Sequence, residues 1–208
     1  MESRAAQVIL LLRNRHPARR LAAGFFCLLP LLISAAGAED WEDGDLILRH
    51  GRGLWSELFR RASPRDRRFS HVGIVCTVAG RRLCVHAEAD DRTGRGRVNA
   101  VPPERFLAEA DAAGRFRLRL PREVRKKFAE SALEQVGVPF DWKFDADDAS
   151  ALYCTELAAA ALKNAAPHLT VKRHNGLIPP DALTDPEIAE ELPPPRVTSS
   201  AAVCSRNP

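Results

Sequence analysis

The chain has 208 residues, with 31 Lys and Arg against 27 Asp and Glu, 45% hydrophobic residues and a formal charge of +4. That balance excludes collagen-like, low-complexity and wholly disordered chains. Five of the bases and one of the acids fall in residues 1–38, leaving 26 of each sign behind them, so net charge makes no case for a nucleic-acid partner.

Residues 13–20 form a basic block, followed by a charge-free run over 21–35 and by Ala36-Gly37-Ala38. A positive region, a short apolar stretch and an A-x-A end describe a secretory signal over residues 1–38. Fifteen uncharged residues interrupted by Pro30 fall short of the roughly 30 Å of a hydrocarbon core. The protein is therefore expected to be secreted or periplasmic, without a membrane span after cleavage; an uncleaved N-terminal anchor is the alternative. Cys27 sits in the apolar run and would leave with it. Residues 39–191 are then one domain, and the Pro- and Ser-rich residues 192–208 a mobile tail.

Asp43-Gly44-Asp45 leads into a short strand at Leu46-Ile47-Leu48, closed by His50-Gly51. Leu54, Trp55, Leu58 and Phe59 recur at helical spacing and predict a helix over 53–62, and the Arg-rich residues 60–68 read as a solvated loop. Two apolar runs, 71–78 and 83–89, flank the turn material Ala79-Gly80-Arg81-Arg82 and predict a β-hairpin. Residues 90–96 are polar loop, and 103–113 read as a helix with Pro in its first turn.

Phe116, Leu118 and Leu120 alternate with Arg115, Arg117 and Arg119, which predicts a half-buried strand. Residues 122–136 place Val124, Phe128, Leu133 and Val136 on one helical face, ended by Gly137. Three aromatics and four Asp make 138–148 an ordered loop. Ser150 is placed to cap a helix running to about Asn164, and Asp185 a short one ending near Glu191. Helices and strands without βαβ alternation predict an α+β fold with a largely antiparallel sheet.

Four cysteines follow the leader: Cys76, Cys84, Cys154 and Cys204. In an oxidising compartment their even number invites disulfides. Cys154 stands in the first turns of a predicted helix, where free N–H groups and the helix dipole favour a thiolate; a disulfide or a buried structural thiol fits the same position. His71 opens a strand beside Gly73, and an imidazole near a thiol can take and return its proton. A third polar group must orient that imidazole.

The hairpin register decides the candidates. With an even turn, His71, His86 and Glu88 share a face while Cys76 and Cys84 point apart. An odd turn centred on Gly80 sets Cys76 opposite Cys84 for a disulfide and rotates His86 away. A zinc set of His71, Cys76, Cys84 and His86 splits across two faces, so no metal is expected.

The segments GDLILRHG, SHVGIV, CVHA, GVPFDWKF and LYCTEL, in that order, resemble the circularly permuted papain-like cysteine hydrolases, and more closely the YiiX/YaeF branch of the NlpC-type superfamily. The resemblance implies a permuted papain-like fold, in which a small antiparallel sheet or partial barrel packs against a few helices and the nucleophile opens one of them. It implies Cys154 as nucleophile, His71 as base and His86 as third member, with Glu88 as the alternative. Tyr153 and Glu156 match its YCSEL-type block and are cleft candidates, and Asp45 matches its GD motif, holding a turn. The implied substrate is an amide or peptide, cell-wall peptides among them, with no cofactor. Ester, thioester and lipid acyl substrates, or a non-catalytic envelope binding module, are the alternatives.

Overall fold

Strand β2 (His71–Val78) carries a nearly unbroken apolar run, and a strand of that composition needs cover on both faces. The computed structural model, which describes residues 41–51, 54–90, 93, 95–108 and 110–195, places it inside a sheet. The elements in chain order are β1 (Asp45–His50), α1 (Leu54–Ala62), β2, β3 (Arg81–Asp90), β4 (Arg95–Val101), α2 (Pro103–Leu107), β5 (Ala112–Leu118), α3 (Arg122–Glu134), α4 (Cys154–Ala165), a 3-10 turn at Pro180–Ala182, and β6 (Ala189–Leu192). Six described strands form one sheet in the order β4-β3-β2-β1-β5-β6, every neighbouring pair antiparallel. This is the expected α+β architecture.

Side-chain alternation divides the core in two. Leu46, Leu48, Val72, Ile74 and Cys76 face α3 and α4 and pack with Phe128, Ala132, Leu157 and Leu162. On the opposite face Ile47, Val75 and Cys84 meet Trp41, Phe106 and Leu107. Gly73 is required at its place, because a Cβ there would stand 2.2 Å from the Cys84 sulfur. Asp45 is fully buried and accepts from the guanidinium groups of Arg115 and Arg117 and from the Glu42 N–H, so the GD motif anchors the entry to the sheet.

The hairpin turn is even. Val78 pairs with Arg81 around Ala79 and Gly80, both at positive φ (51° and 75°), the backbone shape that suits a two-residue turn. Cys76 therefore pairs with Leu83 and lies on the α3 face, with its thiol 3.3 Å from the Ala129 carbonyl, while Cys84 points to the other side. Cys76, Cys84 and Cys154 are all free thiols, which removes the Cys76–Cys84 bridge. Cys204 lies outside the described residues, as do residues 1–38 and most of the expected tail.

Several expected boundaries differ. The helix predicted over 103–113 stops at Leu107, because Ala112 and Ala113 pair with His50 and Arg49 of β1. The short helix expected after Asp185 is one turn, and its continuation becomes β6, pairing Glu190 with Arg117 and Ala189 with Leu118. β4 starts inside the stretch expected as polar loop, residues 90–96; only Val98 of that strand is buried, so it carries almost no hydrophobic signal. The Arg-rich segment after α1 is tied down rather than free, since the Arg65 and Asp66 N–H groups bond Asp181 and Arg68 forks onto Glu191. Among the described residues, no helix is long and apolar enough to cross a membrane.

Candidate active site

Helix α4 begins at Cys154 itself. Ser150 is not its cap; Tyr153 is the N-cap residue and its N–H bonds the Glu156 carboxylate at 3.2 Å. Leu152 is held by Pro139 through its N–H, which fixes the approach to the helix. Cys154 thus occupies the first helical position, closer to the free N–H groups than the sequence suggested. The N–H groups of Val72, Thr155 and Cys154 and the charge of Arg49 all favour a thiolate, yet burial outweighs them and pushes the thiol up to about 11. The expectation of a depressed thiol pKa is therefore corrected. Cys154 is 3% exposed, and its surroundings solvate a charge less well than water does.

His71 opens β2, opposite Arg49 of β1. The even register brings His86 to the same face, with His71 Nε2 3.1 Å from His86 Nδ1 and the rings edge to face. Phe106 from α2 stacks on His71, 5.4 Å between centroids, and meets His86 edge-on. Burial, then Arg49, then the neighbouring imidazole hold His71 well below its ordinary pKa. His86 is pushed down to about 3 by burial, Arg49 and Arg105. Both shifts favour the neutral form, thiol at Cys154 and imidazole at His71. With Nε2 engaged by His86, Nδ1 of His71 is the nitrogen left to exchange a proton elsewhere.

Glu88 lies one step further out, its carboxylate 3.9 Å from His86 Nδ1 and paired with Arg49. Of the two candidates for the third position, His86 is the one in contact with His71. The buried Arg49, which is not among the expected site residues, also donates to the Phe106 carbonyl at 2.8 Å and sits over its ring. Its signal was a lone cation inside the apolar run LILRHG.

Cys154 and His71 line one cavity of about 590 Å³. Trp55, Phe140 and Trp142 cluster, with Phe59, as an aromatic wall, and Arg49, Glu88 and Asp90 also line the cavity. Tyr153 and Glu156 are not in that wall. Tyr153 is fully buried between Phe59 and Phe144, and its hydroxyl accepts the Ile178 N–H at 2.9 Å. Glu156 caps α4 behind the wall; burial, with Asp141 and Asp145 nearby, raises its carboxyl to about 7. Both hold the helix that Cys154 opens rather than contact the cavity.

Among the described residues, the one group that could hold a cation is His71, His86 and Glu88, whose donor atoms all lie within 4.8 Å of one another. The four-residue set containing Cys76 and Cys84 is not assembled, since Cys76 belongs to the opposite face.

The model of the permuted papain-like amidase enzymes, YaeF/YiiX, C92 family, matches residues 40–207. A search of the solved structures finds the metalloprotein YiiX from Escherichia coli O157:H7, 18% identical, with a TM-score of 0.62 over 74% of this chain and 97% of that one. No curated protein matches the sequence. At that identity the structural likeness speaks for the fold alone.

Proposed function

The chain belongs to the permuted papain-like amidases of the YaeF/YiiX, C92 family, and on that premise we propose a cysteine amidase with Cys154 as nucleophile, His71 as general base and His86 as the group that orients it. The observation that carries this reading is a thiol at the first position of a helix and a strand imidazole on the walls of one cavity, the imidazole held from behind by a second ring. His71 Nδ1 takes the thiol proton as sulfur attacks the substrate carbonyl. The N–H groups at the start of α4 stabilise the developing oxyanion. The amine leaves with the proton from His71, which then deprotonates the water that hydrolyses the thioester. Because both groups rest neutral, the ion pair forms along the reaction coordinate rather than before it.

An amide with an apolar group on the acyl side fits the aromatic wall, and a polar or cationic end fits Glu88 and Asp90; peptides released from a cell wall satisfy both. The same aromatic wall is the specific observation that favours a second reading, lipid-like esters or thioesters. Export to the envelope is part of the proposal and rests on the leader pattern, testable by N-terminal sequencing of the mature protein.

The decisive experiment is intact mass spectrometry of the enzyme trapped with peptide amides and with acyl esters of matched length. An acyl adduct on Cys154, absent from Cys154→Ala, is expected, with faster turnover of amides. Undiminished turnover by Cys154→Ala would overturn the assignment, and absence of both adduct and turnover with either class would favour a binding module.

A further inference from the structure

We propose that His71, His86 and Glu88 form a binding site for a divalent ion of the zinc class, and that the ion, once bound, withdraws His71 from proton transfer. The inhibitory half rests on the cysteine amidase reading; the binding half does not.

The donor set is two imidazole nitrogens and one carboxylate oxygen, a combination that selects borderline ions such as zinc over magnesium or calcium. An ion held at about 2.0–2.2 Å by nitrogen and oxygen needs its tetrahedral ligands roughly 3.3 Å apart. His71 Nε2 and His86 Nδ1 are 3.1 Å apart, already at that spacing. Glu88 Oε2 is 3.9 Å from His86 Nδ1, on a side chain 41% exposed that can rotate inward. Arg49 engages the other carboxylate oxygen, Oε1, so that Oε2 is the oxygen turned towards the rings. Its positive charge opposes a cation, so binding should be weaker than in a closed structural zinc site. Because His71 and Glu88 line the cavity, a fourth coordination position opens towards it.

The consequence follows from tautomers. In the metal-free protein one hydrogen lies between the two rings. A metal taking both Nε2 of His71 and Nδ1 of His86 requires both lone pairs, so each neutral ring carries its hydrogen on its other nitrogen. His71 then bears N–H at Nδ1, the atom needed to accept the thiol proton. Metal binding and base catalysis are mutually exclusive on the same ring.

This mode differs from a metal clamped between a catalytic thiol and its histidine, and cobalt(II) titration of the metal-stripped full-length protein separates the two. One equivalent should bind with visible tetrahedral bands and no sulfur-to-cobalt charge-transfer band, and Cys154→Ala should give the same spectrum and affinity. Glu88→Gln should weaken binding by roughly tenfold or more, and His86→Ala should abolish it, with circular dichroism checking each fold. Loss of binding in Cys154→Ala, or unchanged affinity in Glu88→Gln, would overturn the site. Zinc should inhibit turnover over the concentration range in which cobalt binds, with chelator restoring it. Activation by zinc would overturn the inhibitory role while leaving the site, and absence of cobalt binding in an active enzyme would overturn the site while leaving the amidase.

Discussion

His71 Nε2 and His86 Nδ1 meet at 3.1 Å although fifteen residues separate them, because the two-residue turn at Ala79-Gly80 returns β3 in the register that puts both rings on one face. If that contact orients the base, an acceptor at position 86 is what matters. His86→Asn should retain part of the activity, and His86→Leu should lower kcat by about 10²–10³ with little change in KM. Steady-state kinetics of the two variants check this; equal losses would make His86 a packing residue.

Thiol reactivity should follow the thiol's burial. With Cys154 raised to about 11, its thiolate is scarce at neutral pH. Iodoacetamide labelling should therefore climb about tenfold per pH unit towards that value. Arg49→Met removes a charge that favours the thiolate, so its labelling should be slower at every pH below the plateau. A rate already on a plateau near pH 6 would mean a preformed ion pair and contradict the neutral resting state.

The cap of α4 carries its own pH signature. Glu156 binds its proton more tightly folded, about 7, than its ordinary 4.5, so its contribution is full below 4.5 and is lost as pH rises through 7. Glu156→Gln keeps an acceptor for the Tyr153 N–H without the charge. Its melting temperature should match the parent near pH 4 and exceed it at pH 8, measured by calorimetry across that range.

Packing beneath the site is tight at Gly73. A Cβ there would lie 2.2 Å from Cys84 Sγ and 3.2 Å from the Phe106 ring that stacks on His71. Gly73→Ala should cost about 1–3 kcal/mol, and Cys84→Ala should relieve most of it. Urea melts of the double-mutant cycle measure the coupling; strictly additive costs would place the strain in the backbone.

Much of the site was readable because it depends on local pattern. The apolar runs either side of Ala79-Gly80 announce a hairpin, and parity alone reduces His86, Glu88 and the Cys76–Cys84 bridge to two exclusive outcomes. What stayed hidden lacked a pattern of its own. β4 buries only Val98, and β6 is a four-residue segment, Ala-Glu-Glu-Leu, held by pairing to β5 and by Arg68 reaching Glu191. Such strands exist because a neighbour offers hydrogen bonds, which no window of sequence contains.

By itself the sequence determined the antiparallel α+β plan, the order of histidine strand before cysteine helix, and the short list of groups able to do chemistry, since these follow from periodicity, turn residues and side-chain type. Only the tertiary structure decided which register the hairpin took, that Arg49 stands beside the two imidazoles and Glu88, and that Tyr153 and Glu156 brace the helix instead of lining the cavity. It also reversed the expected thiol pKa. Proximity to a helix terminus is visible in a one-dimensional pattern, but the depth of burial that outweighs it is a property of everything packed around the sulfur.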